Sequence, residues 1–223
     1  FGAGLALLRK GTVRSWSRTE GLPDDTVVSI HEGRDGVVWV ATKNGLAALK
    51  GSALRPDLVP PGLPSGDLYA VGEDAGGTLW VASNAGLSRR EGNRFVTLDA
   101  SDGLPSPRLR MMAATRDGSV WVGAAGGGLA RVRDGKVTAF GPAEGLPQAT
   151  FYALHEDEDG TLWGGTLGGG LVRGRNGRFR TFTTRDGLFD DTVYEVVDDG
   201  LGSLWLTSNR GISAVSRADL EAL

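Results

Sequence analysis

Tryptophan recurs at a nearly constant interval through this 223-residue sequence. Five of the six tryptophans are 41, 41, 42 and 42 residues apart, and they are Trp39, Trp80, Trp121, Trp163 and Trp205. A Gly-Leu pair precedes each of them by 18 residues, and a Gly-Leu or Gly-Ile pair follows six or seven residues later. A fixed internal spacing at a period of this length indicates a repeat protein, in which one structural unit is stacked several times.

Each repeat is predicted to form four short β-strands. In the first full copy, Val27–Ile30 and Val37–Val40 are rich in β-branched residues and flank Asp35-Gly36, a hairpin-turn signal. A third strand starts at Gly45, and the fourth is clearest at Phe95–Leu98 of the next copy. Four short strands per period are typical of a β-propeller blade. A helical solenoid would not tolerate 36 glycines, and the coils of a parallel β-helix are shorter than this period.

The sequence therefore predicts an all-β fold, a β-propeller of four-stranded antiparallel blades with about five repeats of 41–42 residues. The propeller covers residues 1–216, divided into a partial blade 1–20 and repeats 21–61, 62–102, 103–144, 145–186 and 187–216. In the tail 217–223, Ser216 and Asp219 resemble the cap of a short helix that leaves the body.

The two ends of the chain leave two arrangements open. Either five blades close a ring, with one extra copy of the third strand of a blade left over, or the chain is an open arc from a larger ring. We expect a piece of a longer protein. The unpaired blade faces of an arc would expose apolar surface and favour association of copies through their blade edges.

Composition excludes several classes of function. There is no cysteine, which excludes disulfides and cysteine-ligated metals. Lys and Arg (24) do not exceed Asp and Glu (27), so no basic nucleic-acid surface is indicated. No apolar run is long enough to span a membrane. No phosphate loop, nucleophile elbow or zinc motif occurs. We predict no catalytic residue, metal or cofactor, and neither nucleic acid nor membrane as a partner of this segment.

The most regular copy carries a recognisable motif. Residues 156–163 read Glu-Asp-Glu-Asp-Gly-Thr-Leu-Trp, and Gly-Gly-Gly-Leu follows at 168–171. This copy resembles the two-component regulator propeller repeat, and the resemblance covers the whole chain. That family forms extracytoplasmic sensor portions of bacterial hybrid histidine kinases and related diguanylate cyclases. The resemblance implies a non-enzymatic, ligand-binding sensor in a membrane-anchored receptor, located in the periplasm or outside the cell.

A ring of tyrosines is the first candidate ligand site. All three tyrosines stand eleven residues before a repeat tryptophan, and the other copies hold Val28 and Arg110 there. We expect Tyr69, Arg110, Tyr152 and Tyr194 near the channel mouth, where they could stack on a small molecule or an oligosaccharide. The alternative is that tyrosine is simply a good strand former with its hydroxyl at the rim.

Loop residues at the same end complete the candidate site. Two copies hold paired carboxylates, Asp24-Asp25 and Asp190-Asp191, that could accept sugar hydroxyls or could merely cap turns. The loop of variable length holds further polar residues, which serve either as ligand contacts or as turn formers: Lys43, Asn44, Asn84, Asn209 and Arg210.

Two other functions compete with the sensor. A propeller enzyme similar to streptogramin lyase would need a histidine on the channel face and a metal, whereas His31 and His155 both lie beside the hairpin at the other end. The third possibility is an assembly scaffold that uses its blade edges as interfaces.

Overall fold

The computed structural model describes residues 2–222 and confirms an all-β propeller of antiparallel blades. Strands β1 and β2 form a two-stranded half-blade, four-stranded blades 1 to 4 follow, and blade 5 has three strands. The strands of the half-blade and of blades 1 and 2 are Leu5–Arg9 (β1), Thr12–Trp16 (β2), Val27–Glu32 (β3), Val37–Thr42 (β4), Gly45–Lys50 (β5), Ala53–Leu54 (β6), Leu68–Glu73 (β7), Leu79–Ser83 (β8), Gly86–Glu91 (β9) and Arg94–Leu98 (β10). Those of blades 3 to 5 are Leu109–Ala114 (β11), Val120–Ala124 (β12), Leu129–Arg133 (β13), Lys136–Phe140 (β14), Phe151–Glu156 (β15), Leu162–Thr166 (β16), Leu171–Arg175 (β17), Arg178–Phe182 (β18), Glu195–Asp198 (β19), Ser203–Ser208 (β20) and Gly211–Ser216 (β21).

The first strand of each blade lies innermost. The first strands β3, β7, β11 and β15 each contact the first strand of the next blade, which for β15 is β19. Within a blade, every strand pairs antiparallel with its successor in the sequence. The tyrosine register therefore lies on the strands closest to the axis of the arc, except in blade 5, where Tyr194 directly precedes β19.

In three blades the repeated tryptophan donates a hydrogen bond to an aspartate of the hairpin that precedes it. In blade 4, the indole Nε1 of Trp163 donates to Asp157 Oδ2 at 2.9 Å, and the same carboxylate accepts from the backbone N–H of Thr161. Blade 2 repeats this arrangement between Trp80 and Asp74 at 2.8 Å. The aspartate of the motif thus has a structural role, since it satisfies the polar edge of a buried aromatic ring.

Apolar packing between blades forms the core. Trp39 on the outgoing face of blade 1 packs with Val71, Val81 and Phe95 on the incoming face of blade 2. Equivalent clusters join the half-blade to blade 1 and each later blade to its successor. In one of them, Trp121 meets Phe179 of the next blade edge to face, with 6.3 Å between ring centroids. Because each cluster needs two blades, each blade is stabilised by its neighbours.

A 3₁₀ turn closes the link from one blade to the next. Before blade 1, the Ser17 hydroxyl accepts from the backbone N–H of Thr19, and Glu20 accepts from the backbone N–H of Ser17. The turn ends at Gly21, whose φ of 105° is a left-handed conformation that favours glycine. Three later links use the same turn, and each ends at the glycine of the Gly-Leu motif. This geometry explains why that glycine recurs.

The two ends of the chain do not join. Within residues 2–222, no strand of the half-blade pairs with a strand of blade 5. Helix α1, Arg217–Ala222, does not leave the body, since its Leu220 is buried against blade 5. The structure is therefore an open arc, and its two terminal faces are uncovered.

Candidate functional site

A β-bulge occupies the tyrosine register of blades 1 to 4. In blade 2, Leu68 pairs with Ser83 and Ala70 pairs with Ala82, so Tyr69 has no partner on β8. The same irregularity leaves Val28, Arg110 and Tyr152 unpaired in their blades. Bulges redirect a side chain out of the regular alternation of a sheet. The row of side chains is thus aimed by a backbone feature that every four-stranded blade repeats.

Arg110 and Tyr69 form the first pair in this row. The guanidinium carbon of Arg110 lies 4.2 Å from the centroid of the Tyr69 ring, at the boundary between blades 2 and 3. The Tyr69 hydroxyl donates to Asp67 at 3.2 Å, and Asp67 accepts through its carbonyl from the backbone N–H of Asn84. Burial raises the pKa of the Tyr69 phenol, and the positive charge of Arg110, which acts to lower that pKa, only partly offsets the rise. At neutral pH the phenol is therefore protonated and can donate a hydrogen bond.

Tyr152 and Tyr194 form the second pair. Their ring centroids are 5.5 Å apart and their planes meet at 78°. The Tyr194 hydroxyl donates to Asn209 Oδ1 at 2.8 Å. The two rings are 42% and 36% exposed, although most aromatic rings of the arc are buried. Two adjacent, half-exposed rings offer a stacking surface for a flat apolar face.

The paired aspartates are engaged in turns. Asp24 and Asp190 each accept from the backbone N–H two residues ahead, at 2.8 and 2.9 Å. Asp25 accepts from the backbone N–H of Arg18, and Asp191 accepts from that of Thr184. The bond from Thr26 lowers the pKa of Asp24. All four carboxylates lie at the predicted end of the arc and stabilise its loops.

The variable loops lie at the same end as the Gly-Leu loops. The backbone N–H groups of Lys43 and Asn84 donate to Thr26 and Asp67 at 3.1 Å each. Asn44 donates its own backbone N–H to the Thr42 hydroxyl. Arg210 was predicted as a ligand contact; its guanidinium stacks on Phe189 at 4.7 Å and donates to that residue's carbonyl.

The structure divides the predicted residues into separate groups. Tyr69, Arg110 and Asn84 lie together in the centre, and Tyr152, Tyr194 and Asn209 form the next group. Asp24, Asp25, Lys43 and Asn44 lie in the loops of blade 1, whereas Asp190, Asp191 and Arg210 lie in those of blade 5. Asp67, the carboxylate near the same loop position in a third copy, lies beside Tyr69. Phe189 was not predicted as a site residue, although it replaces the proline that follows Gly-Leu in the other copies.

A family model agrees with the repeat. The model described as "two component regulator propeller" matches residues 21–44 and 145–168, which lie in blades 1 and 4. Two of the repeats of this chain, in blades 1 and 4, thus match the two-component regulator propeller repeat. No curated protein sequence matches it.

Solved structures share the propeller fold of this chain. The extracellular domain of BT3049 from B. thetaiotaomicron, described as a hybrid two component system, is 21% identical with a TM-score of 0.77; the match covers 91% of this chain and 30% of that one. The corresponding domain of BT4673 is 19% identical with a TM-score of 0.69, over 85% and 27%. Virginiamycin B lyase from Staphylococcus aureus is 14% identical with a TM-score of 0.69, over 96% and 78%. The chain thus spans less than a third of the hybrid-system domains.

The two histidines lie at the boundaries between neighbouring blades. His31 Nε2 lies 4.0 Å from Glu73 of blade 2, and His155 Nε2 lies 3.8 Å from Asp198 of blade 5. Within residues 2–222, no three His, Asp or Glu side chains are grouped to hold a metal, and no helix is long and apolar enough to cross a membrane. The histidines therefore contribute to blade packing at the hairpin end.

The hairpin end also holds cavities between blades. One of about 190 Å³ lies between blades 3 and 4 and is lined by Asp117, Trp121, Arg131 and Glu156, among others. A larger one of about 460 Å³ lies between blades 1 and 2, and one of about 320 Å³ lies between blades 2 and 3. These cavities lie between the hairpins of neighbouring four-stranded blades, so they follow from the architecture of the propeller.

Proposed function

We propose that this regulator propeller is the ligand-sensing part of a membrane-anchored bacterial receptor and that it lies outside the cytoplasm. The support is the family, together with the likeness to extracellular domains of proteins described as hybrid two component systems. The chain acts by binding, and it passes a signal through a shift between conformational populations.

We place the ligand on the row of bulge residues, and the bulge itself carries this proposal. Side chains that only filled strand positions would follow the alternation of the sheet, whereas Tyr69, Arg110 and Tyr152 are unpaired at a bulge that redirects them. Tyr194 holds the same repeat position directly before β19 and adds its ring to the row. The row combines a guanidinium, two exposed rings and a phenol that donates. Sugars present both a flat C–H face and hydroxyls, so an oligosaccharide or another small polar molecule matches this combination.

The proposed site is tested by measuring ligand binding after side chains of the row are substituted. The purified chain is screened against an array of soluble oligosaccharides, and the strongest binder is measured by titration calorimetry. Tyr152→Ala with Tyr194→Ala should weaken binding at least about tenfold, because both rings of the stacking surface are lost. Val28→Ala is the matched control, since it changes the same bulge position where no aromatic or charged group stands.

Two results would count against this site. One is unchanged affinity in the double variant while circular dichroism shows a folded chain. The other is an equal loss in the Val28→Ala control. Tyr152→Phe with Tyr194→Phe separates stacking from hydrogen bonding, since the rings remain and only the hydroxyls are removed.

A further inference from the structure

Arg110 is the charged member of the row of side chains to which the ligand is assigned. The same register holds Val28, Tyr69, Tyr152 and Tyr194 in the other blades. Arg110 lies where blades 2 and 3 meet, and blades 1 and 4 flank these two. Its surroundings are therefore formed by blades within the arc and not by the uncovered ends of the arc.

The guanidinium of Arg110 has no anionic partner in the part of the chain that the structure describes. Within residues 2–222 it makes no ion pair and donates no hydrogen bond, although the side chain is half-buried beside the Tyr69 ring. By contrast, Arg116 pairs with Glu156 of the next blade at 3.4 Å and donates to carbonyls of its hairpin. Arg34 donates likewise to hairpin carbonyls of blade 2. Arginines that join blades in this chain thus find acceptors on the next blade, whereas Arg110 keeps its donors available.

Stacking on Tyr69 explains how this charge is held without a carboxylate. The face of an aromatic ring attracts a cation, and a stacked guanidinium keeps its N–H groups free at its edge. Those N–H groups form a planar fork that matches the oxygens of a carboxylate or a sulfate. Because Arg110 is half-buried, less water competes for this fork, and a pair with an anion is stronger there than on an open surface.

The carboxylates at the same end are engaged elsewhere. Asp24 and Asp191 accept backbone N–H groups in the loops of blades 1 and 5. Asp67 is nearer, but its carboxylate accepts the Tyr69 hydroxyl at 3.2 Å and makes no ion pair with Arg110. A ligand beside Tyr69 therefore meets a cation at Arg110 and an acceptor for hydroxyl groups at Asp67.

We propose that Arg110 selects an anionic oligosaccharide, whose carboxylate or sulfate group pairs with the guanidinium while another sugar of the same molecule stacks on Tyr152 and Tyr194. This inference rests on the proposed ligand site and adds the charge of the ligand. A neutral sugar leaves the guanidinium without an anion, whereas an acidic one forms charge-assisted hydrogen bonds with it. Since the whole chain has a net charge of −3, the preference depends on this local cation.

Matched pairs of oligosaccharides test the charge of the ligand. One pair is an oligomer of galacturonic acid and its methyl ester, and the other is a sulfated galactan oligomer and its desulfated form. Titration calorimetry on the purified chain should give at least about tenfold tighter binding of the anionic member in one of the pairs. The pair that shows the difference separates a carboxylate from a sulfate ligand. Equal affinity for both members of each pair would overturn the inference.

Substitution of Arg110 tests the residue itself. Arg110→Gln should bring the affinity for the anionic member to within about twofold of that for the neutral one. Arg108→Gln is the matched control, because Arg108 is exposed, directly precedes β11 and lies outside the bulge register. A preference that survives in Arg110→Gln, or that is lost equally in Arg108→Gln, would refute the assignment to Arg110.

Asp67→Asn gives an independent measurement that also serves if Arg110→Gln does not fold. Removal of the negative charge beside Tyr69 should tighten binding of the anionic member by about twofold or more, because it removes repulsion from the ligand. The amide oxygen of asparagine can still accept the Tyr69 hydroxyl. Unchanged or weaker binding of the anionic member would contradict an anion at Arg110.

Failure of this inference can be distinguished from failure of the proposed ligand site. A neutral oligosaccharide that binds as tightly as its anionic counterpart, and is weakened by Tyr152→Ala with Tyr194→Ala, would retain the proposed site and overturn only the role of Arg110. Absence of binding by every member of the array, charged or neutral, would overturn both.

Discussion

Replacing Trp163 by alanine should destabilise the chain far more than replacing Trp205, although both occupy the same position of the repeat. Trp163 is fully buried, and its indole donates to Asp157. A buried tryptophan removes about 200 Å² from water, which is about 5 kcal/mol at 25 cal/mol per Å². Core substitutions of tryptophan by alanine cost about 3–5 kcal/mol. We expect a loss in this range for Trp163→Ala.

The smaller effect at Trp205 follows from its exposure. Nearly half of this side chain is already in water, so the transfer energy falls to about 3 kcal/mol and no closed cavity remains. Its hydrogen bond to Asp199 is also exposed and longer, at 3.3 Å. Urea unfolding followed by far-ultraviolet circular dichroism, at a concentration where single copies prevail, should separate the two variants by about 2 kcal/mol. Equal losses would refute the assignment of Trp163 as an interface residue and Trp205 as an uncovered one.

Two further predictions concern the loops. Gly170→Ala should destabilise the chain by about 3 kcal/mol, because its φ is +87° and a Cβ there would lie 2.0 Å from the Phe182 carbonyl oxygen. Gly168→Ala, with φ +76° and open space around it, should lose only about 1 kcal/mol. Similar unfolding midpoints of the two variants in urea would contradict this difference. The melting temperature should fall as pH is lowered from about 6 to about 3, because hydrogen bonds from Ser17 and Ser101 lower the pKa values of Glu20 and Asp99 in the folded state. The stability that these two carboxylates add is therefore present above their unfolded pKa near 4 and is lost below it. A melting temperature that rises over this range would refute that sign.

Much of the blade was predictable because its signals are local. Asp35-Gly36 marks a hairpin through the backbone conformations of two adjacent residues. The stretch Val37–Val40 favours a strand through side-chain branching, whichever blade lies next to it. Repetition multiplied these weak signals, since each pattern recurs in several copies at the same distance from a tryptophan.

The candidate site was predictable only as a position in the repeat. The spacing placed Tyr69, Tyr152 and Tyr194 in one register with Arg110. In the structure, Tyr152 contacts Tyr194 and Arg110 covers Tyr69. Each contact joins side chains about 42 residues apart along the chain, so it depends on the tertiary structure. The role of Asp24 and Asp191 in turns depends likewise on which backbone N–H group lies within reach.

The sequence by itself determined the repeat, the four-strand unit and the register of the candidate site, because these follow from local propensities and from periodicity. Only the tertiary structure decided that Tyr69, Arg110 and Tyr152 are bulge residues, since a bulge is defined by how two strands pair. It also decided that Trp205 differs from its four counterparts. Burial depends on whether a neighbouring blade covers the residue, and five equivalent tryptophans carry no local signal of which one is uncovered.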